Sequence, residues 1–103
     1  MTTIIVLFNL KAGVSVDRYE AWARTTDLPT VRGLGAVANF EVLRATGLLS
    51  GAAESPYRYV EVLRVASVQA LKADIGATPV MAEVAAQFRE FAETPVFIVT
   101  EPL

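Results

Sequence analysis

Apolar residues recur along this chain with two periods, and their alternation marks the elements. Thr3 to Leu10 is dense in β-branched and aromatic residues and stops at Lys11-Ala12-Gly13. It predicts a strand apolar on both faces, with Ile4, Val6 and Phe8 on one and Ile5 and Leu7 on the other, the latter shared by Asn9. A helical period follows, capped either by Ser15 or by Asp17 with Glu20 as a capping box. Tyr19, Trp22, Ala23 and Thr26 then fall at i, i+3, i+4 and i+7. Asp27-Leu28-Pro29 reads as a fresh cap with proline in the first turn, opening a short helical piece that changes direction and closes at Gly33.

The rest of the chain repeats this order. Val37 to Leu49 predicts a second strand, with Phe40 and Val42 opposite Asn39, Glu41 and Leu43. Ser50–Pro56 is a polar turn, and Tyr57 to Ala66 a third strand, with Val60 and Val62 opposite Tyr57, Tyr59, Glu61 and Leu63. Ser67 caps a helix that breaks near Gly76, and Thr78-Pro79 restarts it with a stripe running from Met81 through Val84 and Phe88 to Ala92. Pro95 opens a last strand, Val96 to Thr100, apolar on both sides.

The order βαββαβ predicts a single α+β domain over residues 1–103. Its architecture is ferredoxin-like, a four-stranded antiparallel sheet with crossover helices on one face. Helices cover only one face, yet the strands are apolar on both. Burying the second face against an identical sheet resolves that conflict, and the expected object is a homodimer, a dimeric α+β barrel. Composition agrees. Apolar residues make up 53% and charged residues 19%, against about 45–50% and about 25% in average soluble domains.

Composition also narrows the chemistry. The chain has no histidine and no cysteine, which removes the usual zinc and copper ligands, Ser-His-Asp triads and thiolate nucleophiles. Carboxylate, tyrosine, arginine, lysine and amide groups remain. Net charge is −2, and the nine Lys and Arg residues form no stripe, so nucleic acid is not an expected partner. The longest apolar run, Ile4 to Phe8, is far too short to span a membrane. Met1-Thr2-Thr3 is no basic leader, and the expected location is the cytoplasm. Gly33-Leu34-Gly35 precedes a strand, the wrong context for a phosphate loop, and the acidic residues show no metal-ligand spacing, so neither cofactor nor metal is expected.

The stretch from Tyr19-Glu-Ala-Trp22 through Arg24-Thr-Thr-Asp-Leu-Pro-Thr-Val-Arg-Gly-Leu34 resembles the REDY-like, HapK-type family of the dimeric α+β barrel superfamily. So do Phe40-Glu-Val-Leu-Arg-Ala-Thr-Gly47 and Pro56-Tyr-Arg-Tyr-Val-Glu-Val62. The resemblance implies a small cytoplasmic dimer, and its namesake is associated with biosynthesis of a prodigiosin-type pyrrole pigment. More distant members of the superfamily include cofactor-free monooxygenases of aromatic polyketides, muconolactone isomerases, haem-degrading enzymes and stress-responsive barrels. The haem degraders typically use a histidine that this chain lacks. No catalytic residues carry over from the family.

Two constellations could hold chemistry. If the strands are regular, Asn9, Asn39, Glu41, Tyr59 and Glu61 share the second sheet face, inside the barrel. There, neighbouring carboxylates would raise one pKa, and Tyr59, Glu61 or Glu41 could serve as acid or base. The competing expectation pairs Glu41 and Glu61 with Arg44, Arg58 or Arg64 at the barrel rim, where they fix dimer register. On the helix side, Tyr19 and Trp22 with Phe40, Phe88 and Phe91 could line a pocket, with Arg24, Asp27 and Arg32 at its mouth. Such a stripe is more often plain core, with Asp27 a helix cap, and Arg89, apart from it, is expected to be simply solvated. Two functions follow. One is cofactor-free proton-transfer or oxygenation chemistry on an aromatic or heteroaromatic intermediate of secondary metabolism. The other is a non-catalytic dimeric ligand-binding or stress-responsive barrel. A helix-side pocket holding a carboxylate of raised pKa would favour the first.

Overall fold

The computed structural model describes residues 1–103. Strands β1 (Thr2–Leu10), β2 (Val37–Arg44), β3 (Tyr59–Val65) and β4 (Ala92–Thr100) form one antiparallel sheet in the order β2-β3-β1-β4. Helices α1 (Val16–Trp22), α2 (Leu28–Arg32), α3 (Val68–Ala77) and α4 (Pro79–Phe91) complete the βαββαβ order, so the fold is α+β and ferredoxin-like as expected. Ser15, not Asp17, caps α1, its hydroxyl accepting the Arg18 N–H at 3.2 Å. Ser67 caps α3 in the same way through the Ala70 N–H.

The first helical region departs from expectation at Asp27. The chain does not break there: α1 runs through a π-turn, Ala23–Asp27, directly into α2, with every junction residue in right-handed helical conformation. The Leu28 N–H donates to the Ala23 carbonyl five residues back, and the Thr25 hydroxyl takes the Ala21 carbonyl at 2.8 Å. That side-chain bond competes with the backbone ladder and loosens the turn. Asp27 is therefore no N-cap: its backbone is helical and its side chain makes no cap bond, whereas a cap needs extended backbone.

The strand ends differ as well. β2 stops at Arg44, opposite Tyr59, rather than at Leu49. Asn9 holds the following loop, its Nδ2–H donating to the Pro56 carbonyl at 2.9 Å and its Oδ1 accepting the Arg58 N–H at 2.8 Å. β4 begins at Ala92, ahead of Pro95. Thr94 and Pro95 together oppose Phe8, a bulge in which Thr94 takes a positive φ of 40°. Proline is tolerated because β4 is an edge strand.

Register decides the faces. Ile4 pairs with Leu63, Val6 with Glu61 and Phe8 with Tyr59, and directly opposed residues share a face. Ile4, Val6 and Phe8 are buried under the helices, so Tyr59, Glu61 and Leu63 are on the helix side too, not on the outer face. The core is aromatic at one end, where Phe8 stacks on Tyr59 at 5.4 Å and meets Tyr19 and Phe88 edge-on at 5.7 and 5.0 Å. No helix covers the outer face, where Ile5, Leu7, Val60 and Val62 stand, and no helix is long and apolar enough to cross a membrane.

Candidate functional site

Between sheet and helices lies a cavity of about 460 Å³, lined mostly by apolar side chains from β1, β2, β3 and β4 and the three helical segments that face them. Two acids enter it: Glu61 from the middle of β3 and Asp27 from the end of the π-turn. They are 7% and 5% exposed.

The π-turn is what aims Asp27. Buried positions along this helix are Tyr19, Ala23, Asp27 and Val31, each four residues apart. In a plain α-helix such steps drift by about 40° each, carrying Val31 about 120° off the line of Tyr19. A π-turn absorbs one residue, so the twelve residues from Tyr19 to Val31 act as eleven, close to three whole turns. Glu61 is placed by strand alternation alone, between Tyr59 and Leu63 and opposite Val6.

Burial controls both acids. It raises Asp27 to about 7. It also raises Glu61 to about 8, with the Asp27 charge adding to the effect. Glu61 Oε2 is buried without a hydrogen-bond partner, and so is the Tyr19 hydroxyl. Burial, then the negative charges of Glu61 and Asp27, push the Tyr19 phenol up, so it stays a neutral donor. Near neutral pH this pair of buried acids can both give and accept a proton.

A second group is built differently. Glu20 accepts from Arg44 Nε at 2.7 Å, from Arg44 Nη2, from Arg24 Nη2 at 3.2 Å and from the Tyr59 hydroxyl at 2.7 Å. The Arg44 guanidinium, foremost, holds this carboxylate down at about 2, and burial with the Glu20 bond raises Tyr59 to about 12. Glu20 is thus a fixed anion tying α1 to β2 and β3. A smaller cavity of about 320 Å³ adjoins it, lined in part by Tyr19, Arg24, Arg44 and Tyr59.

The residues singled out from the sequence therefore divide. Glu61 and Asp27 come together. Tyr19, Tyr59, Arg24 and Arg44 gather around Glu20 or beside it. Glu41 and Asn39 are exposed on the opposite face of the sheet, joined by an Asn39 N–H donated to Glu41 at 3.0 Å, so Glu41 does not meet Tyr59 or Glu61. No arginine pairs with Glu41 or Glu61, since both ion pairs in the chain belong to Glu20. Arg32 donates its Nε–H to the Phe40 carbonyl at 3.0 Å and pins α2 to β2. Trp22 donates to Gln87 at 2.7 Å, bridging α1 and α4. Sequence reasoning missed the Asp27–Glu61 pairing and also Lys72 and Arg89, which line the larger cavity. No signal within β3 itself could have found the pairing, because the strand is apolar on both faces and its sides are told apart only by the register with β1.

A family model described as REDY-like protein HapK matches residues 2–103. Among solved structures, HapK from Hahella chejuensis is 33% identical with a TM-score of 0.80, covering 100% of this chain and 93% of that one. A dimeric ferredoxin-like protein of unknown function from Thermobifida fusca is 18% identical with a TM-score of 0.73, over 98% and 90% of the two chains. A variant of SnoaB, a cofactor-independent oxygenase from Streptomyces nogalater, is 16% identical with a TM-score of 0.69, over 98% and 91%. At these identities the last two show the fold alone. No curated protein matches the sequence.

Proposed function

The chain belongs to the REDY-like HapK family, and from that premise we propose that it is a homodimer that binds an aromatic or heteroaromatic small molecule in the larger cavity. There it moves a proton on its ligand without a cofactor. The observation that carries this is a pair of buried acids, Asp27 and Glu61, the latter with one oxygen lacking a hydrogen-bond partner, facing an apolar cavity of a size that suits one small molecule.

The ionised member of the pair takes a proton from an acidic C–H, N–H or O–H of the ligand. The protonated member returns one at another atom, so the ligand leaves as a tautomer and the pair still holds one proton, its two members having exchanged protonation states. Flat rings suit the lining, where Phe40, Phe88 and Phe97 offer aromatic faces and edges. The same deprotonation would open an oxygenation in which dioxygen is the oxidant. SnoaB, described as a cofactor-independent oxygenase, supports such chemistry on this fold.

The dimer rests on three supports. The outer sheet face carries Ile5, Leu7, Val60 and Val62 with no helix over it. The isolated chain exposes 6504 Å², whereas a compact monomer of this mass exposes about 5,700 Å². The Thermobifida relative is described as dimeric.

The test is a calorimetric screen of aromatic and pyrrolic compounds, with each binder then followed by NMR for exchange of its acidic hydrogens in D₂O. The wild-type protein should bind and accelerate exchange, while Glu61→Gln and Asp27→Asn should bind and not accelerate it. Binding without exchange would favour the non-catalytic barrel, and no binding would overturn the cavity as the site.

A further inference from the structure

The larger cavity is lined by two buried acids, Asp27 and Glu61, and by two exposed cations, Lys72 and Arg89. On α3 its lining positions are Val68, Leu71, Lys72 and Ile75, the i, i+3, i+4, i+7 stripe of a buried helix face. On α4 the stripe from Met81 through Ala85 and Phe88 ends at Arg89. Every helical position of those two stripes is apolar except Lys72 and Arg89. Both are exposed, and neither is in an ion pair, since Glu20 takes part in both pairs that exist. The cations therefore stand where the cavity meets solvent. The two acids are buried, and Glu61 Oε2 is without a donor.

We propose that the cavity selects organic acids. An apolar ligand enters with a hydrogen-bond-donating end toward Glu61 and leaves its carboxylate at the mouth, against Lys72 and Arg89. This rests on the larger cavity being the ligand site and adds the class and orientation of what enters it. The buried acids repel an anion, and the cations at the mouth attract one, so the ligand has one favourable direction of entry. A ligand N–H or O–H would satisfy the Glu61 oxygen, which otherwise bears the cost of an unmade bond. A plain structural use of Lys72 and Arg89 would lay their stems over apolar surface and give no preference for acids.

Indole-3-butyrate and its methyl ester separate these cases. Both carry a ring N–H and an apolar body, and only the first is an anion. By titration calorimetry at pH 7.5 and low salt, the acid should bind about tenfold more tightly than the ester, since each exposed ion pair contributes a factor of a few. The Lys72→Gln/Arg89→Gln variant should bring the two within about twofold by weakening the acid alone, and 0.5 M salt should do the same in the wild type. An ester bound as tightly as the acid, with the variant indifferent, would overturn the selection for acids and leave the cavity as the site. Failure of both compounds to bind would overturn both.

Discussion

Replacing Glu61 by glutamine should make the protein more stable at neutral pH, and by an amount that depends on pH. The amide keeps the shape of the protonated acid and removes its titration. Glu61 is raised from 4.5 to about 8 by burial and by Asp27. Between those values the native state holds a proton that the unfolded chain has released, so wild-type stability falls as pH rises. From 4.5 to pH 7 the loss is roughly 3 kcal/mol, at about 1.36 kcal/mol per pH unit. Glu61→Gln escapes it. At pH 7 the variant should melt roughly 10–20 °C above the wild type for a domain of this size, and near pH 4.5 the two curves should converge. Thermal melts from pH 4.5 to 8.5, at one protein concentration because assembly shifts Tm, give the comparison. A constant offset across that range, or a variant less stable throughout, would refute the picture of a buried acid without a partner. A cost of this size is a large share of the 5–15 kcal/mol typical of a whole domain, so a residue retained at that cost is a candidate for function rather than for packing.

Two other expectations concern the remainder of the molecule. Light scattering should give about twice 11.1 kDa, and Leu7→Asp should halve it, whereas Leu63 is on the helix side and does not test the interface; a wild-type monomer would end the dimer. Glu20, held at about 2 by Arg44, contributes stability that is present above its ordinary 4.5 and is lost as pH falls toward 2. Glu20→Gln should therefore lower Tm at pH 7 and flatten the acid limb of the profile, and an acid limb unchanged in that variant would show that the Arg44 contact contributes nothing.

Much of the fold was legible because the continuous apolar run of β1 marks a strand and the apolar stripes of α3 and α4 mark helices. Ser67 caps where its side chain suggests, and Ser15 is one of the two caps open for α1. The site was not, for two separate physical reasons. β3 has Val60 and Val62 on one side and Tyr59, Glu61 and Leu63 on the other. The valines look like the core side, and only pairing with β1 reveals that they are not. A strand apolar on both faces carries no internal evidence of which face is which. Asp27 was hidden by a different effect. Followed by Leu28-Pro29, it has the local signature of a cap, and a count at 3.6 residues per turn does not bring it into line with Tyr19. The π-turn changes the count, and the Thr25 hydroxyl bond to the Ala21 carbonyl within it is a contact that periodicity does not register.

The bulge at Thr94-Pro95 bears on how copies of this chain can meet without polymerising. Beyond it β4 offers Val96-Phe-Ile-Val-Thr100 at an open edge, with Phe97 and Val99 62% and 60% exposed. An edge with four apolar residues in a row is a template for endless strand addition. Pro95 has no N–H to offer, and the bulge twists the strand at that point. Strand addition along this edge is therefore confined to the short segment after Pro95. The proline is a gatekeeper, and its replacement by a β-branched residue would lengthen the sticky edge and shift the protein toward aggregation during folding.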